Sequence, residues 1–367
     1  MNILVIGNST RSIACSAKRA GHTVYSLDNF CDVDMLNCAD SAFPLKNASE
    51  EKIYELARTF GEMDGVILGP GFEKLEFKNV LGNSPDVAEK VNDKLDLARK
   101  LHSLGIPHPE TEPLSKATGL RFPLMIKPRC GSGGMMNSVV RDDGELAAIQ
   151  ARSETSGFIA QEFVEGIPCS ASLIGTGDDA RVIALNEQLI GIPRLTRVPF
   201  AYCGNVTPFL TDRKNEMIEY SRQIALEFGL MGSNGVDFIQ AENGVVIIEV
   251  NPRFQGSLDT IELSCGINIF DSHVRSFSGE LPEPVKHKCF AARNVLYARK
   301  TTVVSERLYE WLIKRMKMER AADIPENGWI VREDEPITTL LETGRTREIV
   351  LNKVERSTQD IIRMTEV

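Results

Sequence analysis

GVDFIQAENGVVIIEVNPR, residues 235–253, contains two β-type runs joined at AENG, and the composition of that junction is that of a hairpin turn. A three-residue loop over 242–244, with Gly244 in the left-handed position, predicts a register in which Asp237 lies directly opposite Glu249. One residue more or fewer would break that register. Side chains alternate along a strand, so Glu249 and Asn251 share a face and Asp237 joins them. Two carboxylates and an amide oxygen then converge at one end of an otherwise apolar hairpin. Unpaired charges are costly to bury, and oxygen clusters of this kind suit Mg²⁺ (or Mn²⁺), usually alongside substrate phosphates. Arg253 would share the face if the strand ran on, although Pro252 predicts a turn; its planar fork suits a phosphate or a carboxylate. Taken alone, these residues fit a salt-bridged hairpin end equally well.

Upstream, FPLMIKPRCGSGGMMNS (122–138) is an apolar strand leading to Lys127 and then to a loop with Gly131, Ser132, Gly133 and Gly134. Glycines let backbone N–H groups crowd around phosphate oxygens, and a lysine supplies a point charge for the same oxygens. The Walker A pattern is absent, and a solvated hairpin turn reads about as well. FIAQEFVEG (158–166) is a strand whose last residues turn polar, an edge that can offer backbone groups to an adenine ring or can simply be a strand end. VNDKLDLARKLHSLG (91–105) predicts one amphipathic helix stopped by Gly105, and the proline-rich IPHPETEP after it opens a new domain.

The first 90 residues read as a doubly wound domain. ILVIG (3–7), a helix ending near Gly21, VYSLD closing on Asp28, and DGVILGPGF (64–72) make βαβ units with a parallel sheet. GNSTRS is not GxGxxG, so dinucleotide binding with Asp28 on a ribose is disfavoured; the loop tips Asn8, Ser9 and Thr10 remain placed to touch a substrate. The 367 residues, 42% hydrophobic and 25% charged, suffice for two or three globular domains. No apolar run is long enough for a membrane span, and the first residues lack a signal peptide's features, which predicts a cytoplasmic protein without a membrane partner. A formal charge of −9 disfavours a nucleic-acid partner. The eight cysteines show no CxxC spacing and read as mostly buried thiols.

Lys94 on a helix, an IKP strand with its glycine loop, QEFVEG, and then VDF with EVNPR together resemble the ATP-grasp superfamily over roughly residues 85–265. The resemblance implies an α/β and α+β fold in three parts. These are an N-terminal doubly wound parallel-sheet domain (1–90), an ATP-grasp domain (91–285) with a mobile lid over roughly 120–160, and a small C-terminal α+β/β closing region of carboxylase type (286–367). It implies that Lys94 and Lys127 bind ATP phosphates, that the 131–134 loop belongs to the lid, and that Glu162, Phe163 and Val164 hold adenine mainly by backbone. Asp237, Glu249 and Asn251 would hold Mg²⁺, with Arg253 and Lys127 acting on the transferred phosphoryl group. Many relatives place an acidic residue just after the QEFVEG-like turn to hold the ribose; here Gly166, Ile167, Pro168 and Cys169 stand there, which leaves Glu165 for that contact.

The implied chemistry is activation of a carboxylate as an acyl phosphate and its capture by an amine, with small-molecule carboxylate and amine substrates, an amino acid or small peptide among them. A carboxylase-type reaction through carboxyphosphate and a nucleotide-binding module without turnover are the alternatives, and a homodimer is left open. The closing region fits the carboxylase type through DIPENGWI (323–330) and PITTLLETGRTRE (336–348). The Met316-Lys317-Met318 triplet is similar to a biotin-carrying lysine, but the periodic Leu, Trp, Ile and Met before it predict a helix with Lys317 solvated. The segment 193–209, with Arg194, Arg197, Tyr202 and Asn205, is long for a connection and is expected to line the acceptor pocket; a surface loop packed by its own aromatics fits equally.

Overall fold

In the computed structural model, which describes residues 1–131, 133–134, 136–152 and 155–365, Met231–Ala241 and Gly244–Asn251 form the expected antiparallel hairpin. Asp237 stands opposite Glu249, by a different route from the one the turn composition predicts. The loop is one residue shorter, with Ala241 paired to Gly244, and a bulge restores the register: Phe238 pairs with Ile247 whereas Asp237 pairs with Glu249. Ile248 is the extra residue. A bulge bends its strand and re-aims neighbouring side chains, and this one turns the two carboxylates onto a common face.

The hairpin is one edge of an eight-stranded sheet, antiparallel throughout. After it come Ile167–Thr176, Ala180–Ile190, Tyr202–Thr207, Phe290–Tyr297, Pro336–Gly344 and Ala321–Ala322. Strands of the C-terminal segment therefore extend the sheet that carries the hairpin. The strand Tyr202–Thr207 lies inside the stretch whose weak periodicity suggested only a loop. A second, four-stranded antiparallel sheet is made of Thr111–Pro113, Phe158–Glu162, Leu124–Pro128 and Ser138–Val140. The first 90 residues build a four-stranded parallel sheet ordered Ser41–Pro44, Thr23–Asp28, Asn2–Gly7, Gly65–Leu68. Ile3 to Ile6 are buried without alternation, as expected of a parallel strand covered on both faces.

The single helix expected over 91–105 is two, Pro85–Asn92 and Lys94–Ser103. Asp93 breaks it: its side chain accepts from the N–H groups of Leu95 and Asp96, which caps the second helix and starts it at Lys94. Leu97 and Leu101 lie on the same face as Lys94 and pack into the core with Val236, Phe238 and Ile224. Asp28 is consumed internally; its buried carboxylate accepts from Thr10 N and Oγ1 and from the N–H groups of Phe30 and Cys31. Burial pushes its pKa up against those hydrogen bonds. Lys317 follows the helix Glu306–Met316 and is exposed, as its periodicity predicts. Cysteine usage differs from expectation. Cys15 and Cys38 form a disulfide, because two helices far closer in space than in sequence bring them together, while Cys169, Cys203 and Cys265 are buried thiols and Cys130 is exposed. No helix among the described residues is long and apolar enough to cross a membrane.

Candidate functional site

The two antiparallel sheets enclose a cavity of about 610 Å³, and its wall includes Lys127, Gly134, Phe163, Asp237, Glu249 and Arg253. Lys127 ends the strand Leu124–Pro128 and is 6% exposed. Its ammonium makes no hydrogen bond or ion pair with the described residues. Burial first, and the nearby Lys94 second, lower its pKa to about 8. A buried cation without a partner among the described residues, on a cavity wall, is placed for an anionic ligand. Lys94 is placed differently: its Nζ donates to Gly131 O at 2.7 Å and to Glu249 Oε1 at 3.2 Å, behind the glycine loop and off the cavity wall. It braces the loop and one carboxylate.

Asp237 and Glu249 face one another where the bulge sits. Asp237 accepts from Gln188 Nε2 and from Asn251 Nδ2, both at 3.0 Å. Burial, then the charge of Glu249, raise its pKa to about 7. Negative charge is thus undercompensated at this point, as a dication site requires. Among the described residues no three His, Cys, Asp or Glu side chains meet to hold a metal by themselves. Two carboxylates and an amide do fit Mg²⁺, which keeps several waters and is completed by substrate phosphates. Arg253 is held by Glu73 Oε1 at 2.8 Å and by Asn251 Oδ1 at 3.0 Å, so its guanidinium reaches the cavity already oriented.

At the other end of the cavity, the N–H groups of Glu162 and Phe163 are used within the fold, bonding Glu110 O and Pro123 O. The Glu162 side chain accepts from Arg121 N. Val164 N–H has no partner among the described residues and is the donor left for a ring acceptor. Glu165, exposed, lies on the same wall. Gly133 and Gly134 line the cavity; Gly131 does not. Ser132 lies outside the described residues. Gly134, at φ 71°, packs so closely that a Cβ there would come within 1.9 Å of Phe200 O, so the glycine loop rests on the 199–200 segment.

That contact corrects part of the reading of 193–209. Arg194 pairs with Glu355, and Arg197 with Glu333 and Asp334, on the exposed side away from the cavity. Phe200, Tyr202 and Asn205 do line it. Sequence reasoning missed Glu73 and Gln188. Gln188 belongs to a legible pattern, since polar residues two apart recur on adjacent strands: Ser170 and Ser172, Asn186 and Gln188, Asn205 and Thr207. Hydrogen bonds link Asn186 to Ser170, Ser172 and Thr207, which puts these side chains on one face. Glu73 lies beyond the carboxyl end of the strand Gly65–Leu68, where ligands favour open α/β sheets.

Residues 91–257 match the family model described as the ATP-grasp domain. An uncharacterized protein of Methanocaldococcus jannaschii is 26% identical over 95% of this chain and 90% of its own. The 3-methyl-D-ornithine–L-lysine ligase of Methanosarcina acetivorans is 29% identical over 71% of this chain and 68% of its own. Among solved structures, biotin carboxylase from Campylobacter jejuni superposes with a TM-score of 0.75 at 16% identity, covering 96% of this chain and 89% of that one, a likeness of fold. The hairpin and the glycine loop both lie within residues 91–257, the part of the chain that is similar to the ATP-grasp domain.

Proposed function

We propose that the protein is an ADP-forming ligase that activates a small carboxylate with ATP and joins it to an amine. The observation that carries this reading is the opposition of Asp237 and Glu249 beside the Lys127 ammonium, which has no partner among the described residues. The name of the methanogen ligase, which couples two amino acids, favours amino-acid substrates. Asp237, Glu249 and Asn251 would hold Mg²⁺, whose contribution is to neutralise phosphate oxygens. Lys127 pairs with the same oxygens, and Val164 N–H and the Phe163 ring hold the base. A substrate carboxylate oxygen attacks the γ-phosphorus; the bond from that phosphorus to the bridging oxygen breaks, and ADP leaves with the electron pair. Arg253, fixed by Glu73, faces the phosphoryl group in transfer. The amine nitrogen then attacks the acyl carbon, the carbon–oxygen bond to phosphate breaks, and the amine proton passes to solvent. No protein nucleophile is required; positioning and charge carry the catalysis.

The test is release of ADP and phosphate from MgATP across pools of amino acids, small carboxylic acids and bicarbonate. For the wild type, ADP release is expected to depend on an amino-acid or carboxylate pool. Glu249→Ala is expected to lower it by roughly 100-fold or more, the scale of losing one electrostatic contact to a transition state. AMP in place of ADP would overturn acyl phosphate chemistry. Stimulation by bicarbonate alone would make the protein a carboxylase through carboxyphosphate.

A further inference from the structure

A second cavity, of about 410 Å³, adjoins the first, and the two share Tyr202 and Gly256 as a common wall. It lies between the loops that follow the second parallel strand of the N-terminal sheet and the C-terminal strands of the large sheet. Its ionisable lining is unbalanced: Asp32, Asp323, Glu326 and Glu335 against Lys46 and Arg293. Most of these charges already have partners. Asp323 is paired with Arg11 and Arg293, Glu335 accepts from Arg332 N, and the Lys46 ammonium lies 5.7 Å over the ring of Trp329. Asp32 is different. It precedes the helix Val33–Cys38, its side chain does not cap that helix, and its carboxylate has no hydrogen-bond or ion-pair partner among the described residues. The lining also carries apolar and aromatic residues, Trp329, Val295, Ile337 and Phe30 among them. Phe30 is 37% exposed, an aromatic of the lining left partly uncovered.

A second unmet group points into the same region. Arg293 Nη1 donates to Gly256 O at 2.6 Å, which sets the guanidinium at the wall between the two cavities, and its Nε is buried with no hydrogen-bond partner. An acceptor is wanted at that wall and a cation farther in.

We propose that this second cavity holds an amino acid with a protonated side-chain amine, with Asp32 as the counter-ion of the ammonium and Trp329 and Phe30 flanking its aliphatic chain. The carboxylate lies at the Tyr202–Gly256 wall, next to the phosphate end of the first cavity. The inference rests on the ligase reading and adds to it the class of one substrate. Field and geometry agree. Burial, and then the carboxylates of Asp323, Asp34 and Asp28, raise Asp32 to about 9, whereas Asp34 and Asp28 are themselves saturated by backbone N–H groups. A cation docked beside Asp32 relieves this excess of negative charge, and a neutral side chain of the same length does not. Aromatic faces contribute a further preference for a cation.

The experiment is calorimetric titration of the full chain, with Mg²⁺ and a non-hydrolysable ATP analogue present, with L-lysine, L-ornithine and L-norleucine. Norleucine keeps the aliphatic chain and lacks the ammonium. Lysine or ornithine is expected to bind roughly tenfold tighter than norleucine or better, as for a hydrogen bond to a charged group. Asp32→Asn is expected to abolish the difference with the affinity for the nucleotide analogue unchanged, which also reports that the variant is folded. Glu326→Gln, at an exposed position, is expected to reduce the preference in part. Norleucine binding within twofold of lysine and ornithine, a preference that survives Asp32→Asn, or no binding of any of the three by nucleotide-loaded protein would each overturn the assignment. Failure of the wild type to bind the nucleotide analogue would instead overturn the ligase reading itself.

Discussion

Asp237 and Glu249 lie opposite each other, and among the described residues only one ammonium, that of Lys94, is in direct contact with either. Two desolvated carboxylates repel, and a folded chain keeps such a pair only where a ligand needs it. Asp237→Asn preserves the shape and removes one charge; Gln188 can turn its amide over to meet the new NH₂. The variant is expected to unfold at a higher temperature, with a gain of about 1 kcal/mol, while substrate-dependent ADP release falls to background. Calorimetry and an ADP assay on the same preparation check it, and a variant that melts lower would show that the pair is not under repulsion. The residues of this pair were legible in the sequence because hairpin periodicity is local. Glu73 was not, since its contact with Arg253 spans 180 residues of chain and no local pattern encodes it. Lys94 was legible as a lysine on a helix, yet its partners, Gly131 O and Glu249, emerge only with tertiary packing.

At the scale of elements, periodicity identified the strands of the hairpin and the helical character of 91–105, but it missed the strand Tyr202–Thr207 and the local irregularities that aim the site. The bulge at Ile248 leaves no mark in an unbroken apolar run, so composition suggested a longer loop that happens to give the same pairing. Asp93 interrupts a continuous apolar stripe by capping the helix that follows, a choice its carboxylate makes only when Arg129 and the next strand pin it from the other side. The glycine loop shows such placement most directly. Gly134 combines a left-handed φ of 71° with backbone contact to Phe200, whereas Gly133, at φ 79°, has nothing within 4 Å of a Cβ position. A side chain at either costs on the order of 1–2 kcal/mol in backbone strain, but only Gly134→Ala also forces the loop off the 199–200 segment. Gly134→Ala is therefore expected to raise the KM for ATP roughly tenfold beyond Gly133→Ala, with similar melting temperatures for the two. Steady-state kinetics on both variants check this, and equal KM values would mean that the Phe200 contact does not shape the nucleotide site.

Across the whole molecule, the N-terminal sheet is joined to the rest by a shared apolar cluster, in which Ile3, Ile13 and Ile67 pack with Phe254, Leu258 and Phe270, and by buried polar contacts. Arg11 forks onto Asp259 at 2.6 and 2.8 Å, Asn83 bonds Asn234 and Pro252 O, and His273 ties Leu81 O to Ser233 N. His273 carries the consequence for pH. Ser233 N–H donates to its Nδ1, so Nε2 must carry the proton given to Leu81 O, and the ring is fixed as the neutral tautomer. Burial depresses its pKa to about 4, the Leu81 contact opposing weakly. Unfolded, the imidazole titrates near 6.5. Above 6.5 both states are neutral and the residue contributes no pH dependence. Between 6.5 and 4 only the unfolded chain binds the proton, so acidification through that window favours unfolding, and below 4 the effect saturates. From pH 7.5 to pH 5 the loss from this residue is about 2 kcal/mol. Buried carboxylates titrate in the same range, so the comparison is with His273→Asn, whose Oδ1 can still accept from Ser233 N–H but which cannot be protonated. That variant is expected to be less stable than wild type at pH 7.5 and to lose about 2 kcal/mol less on going to pH 5, as read from urea unfolding at both pH values. Parallel losses in the two proteins would place the acid sensitivity in the carboxylates and leave His273 as a packing residue between the sheets.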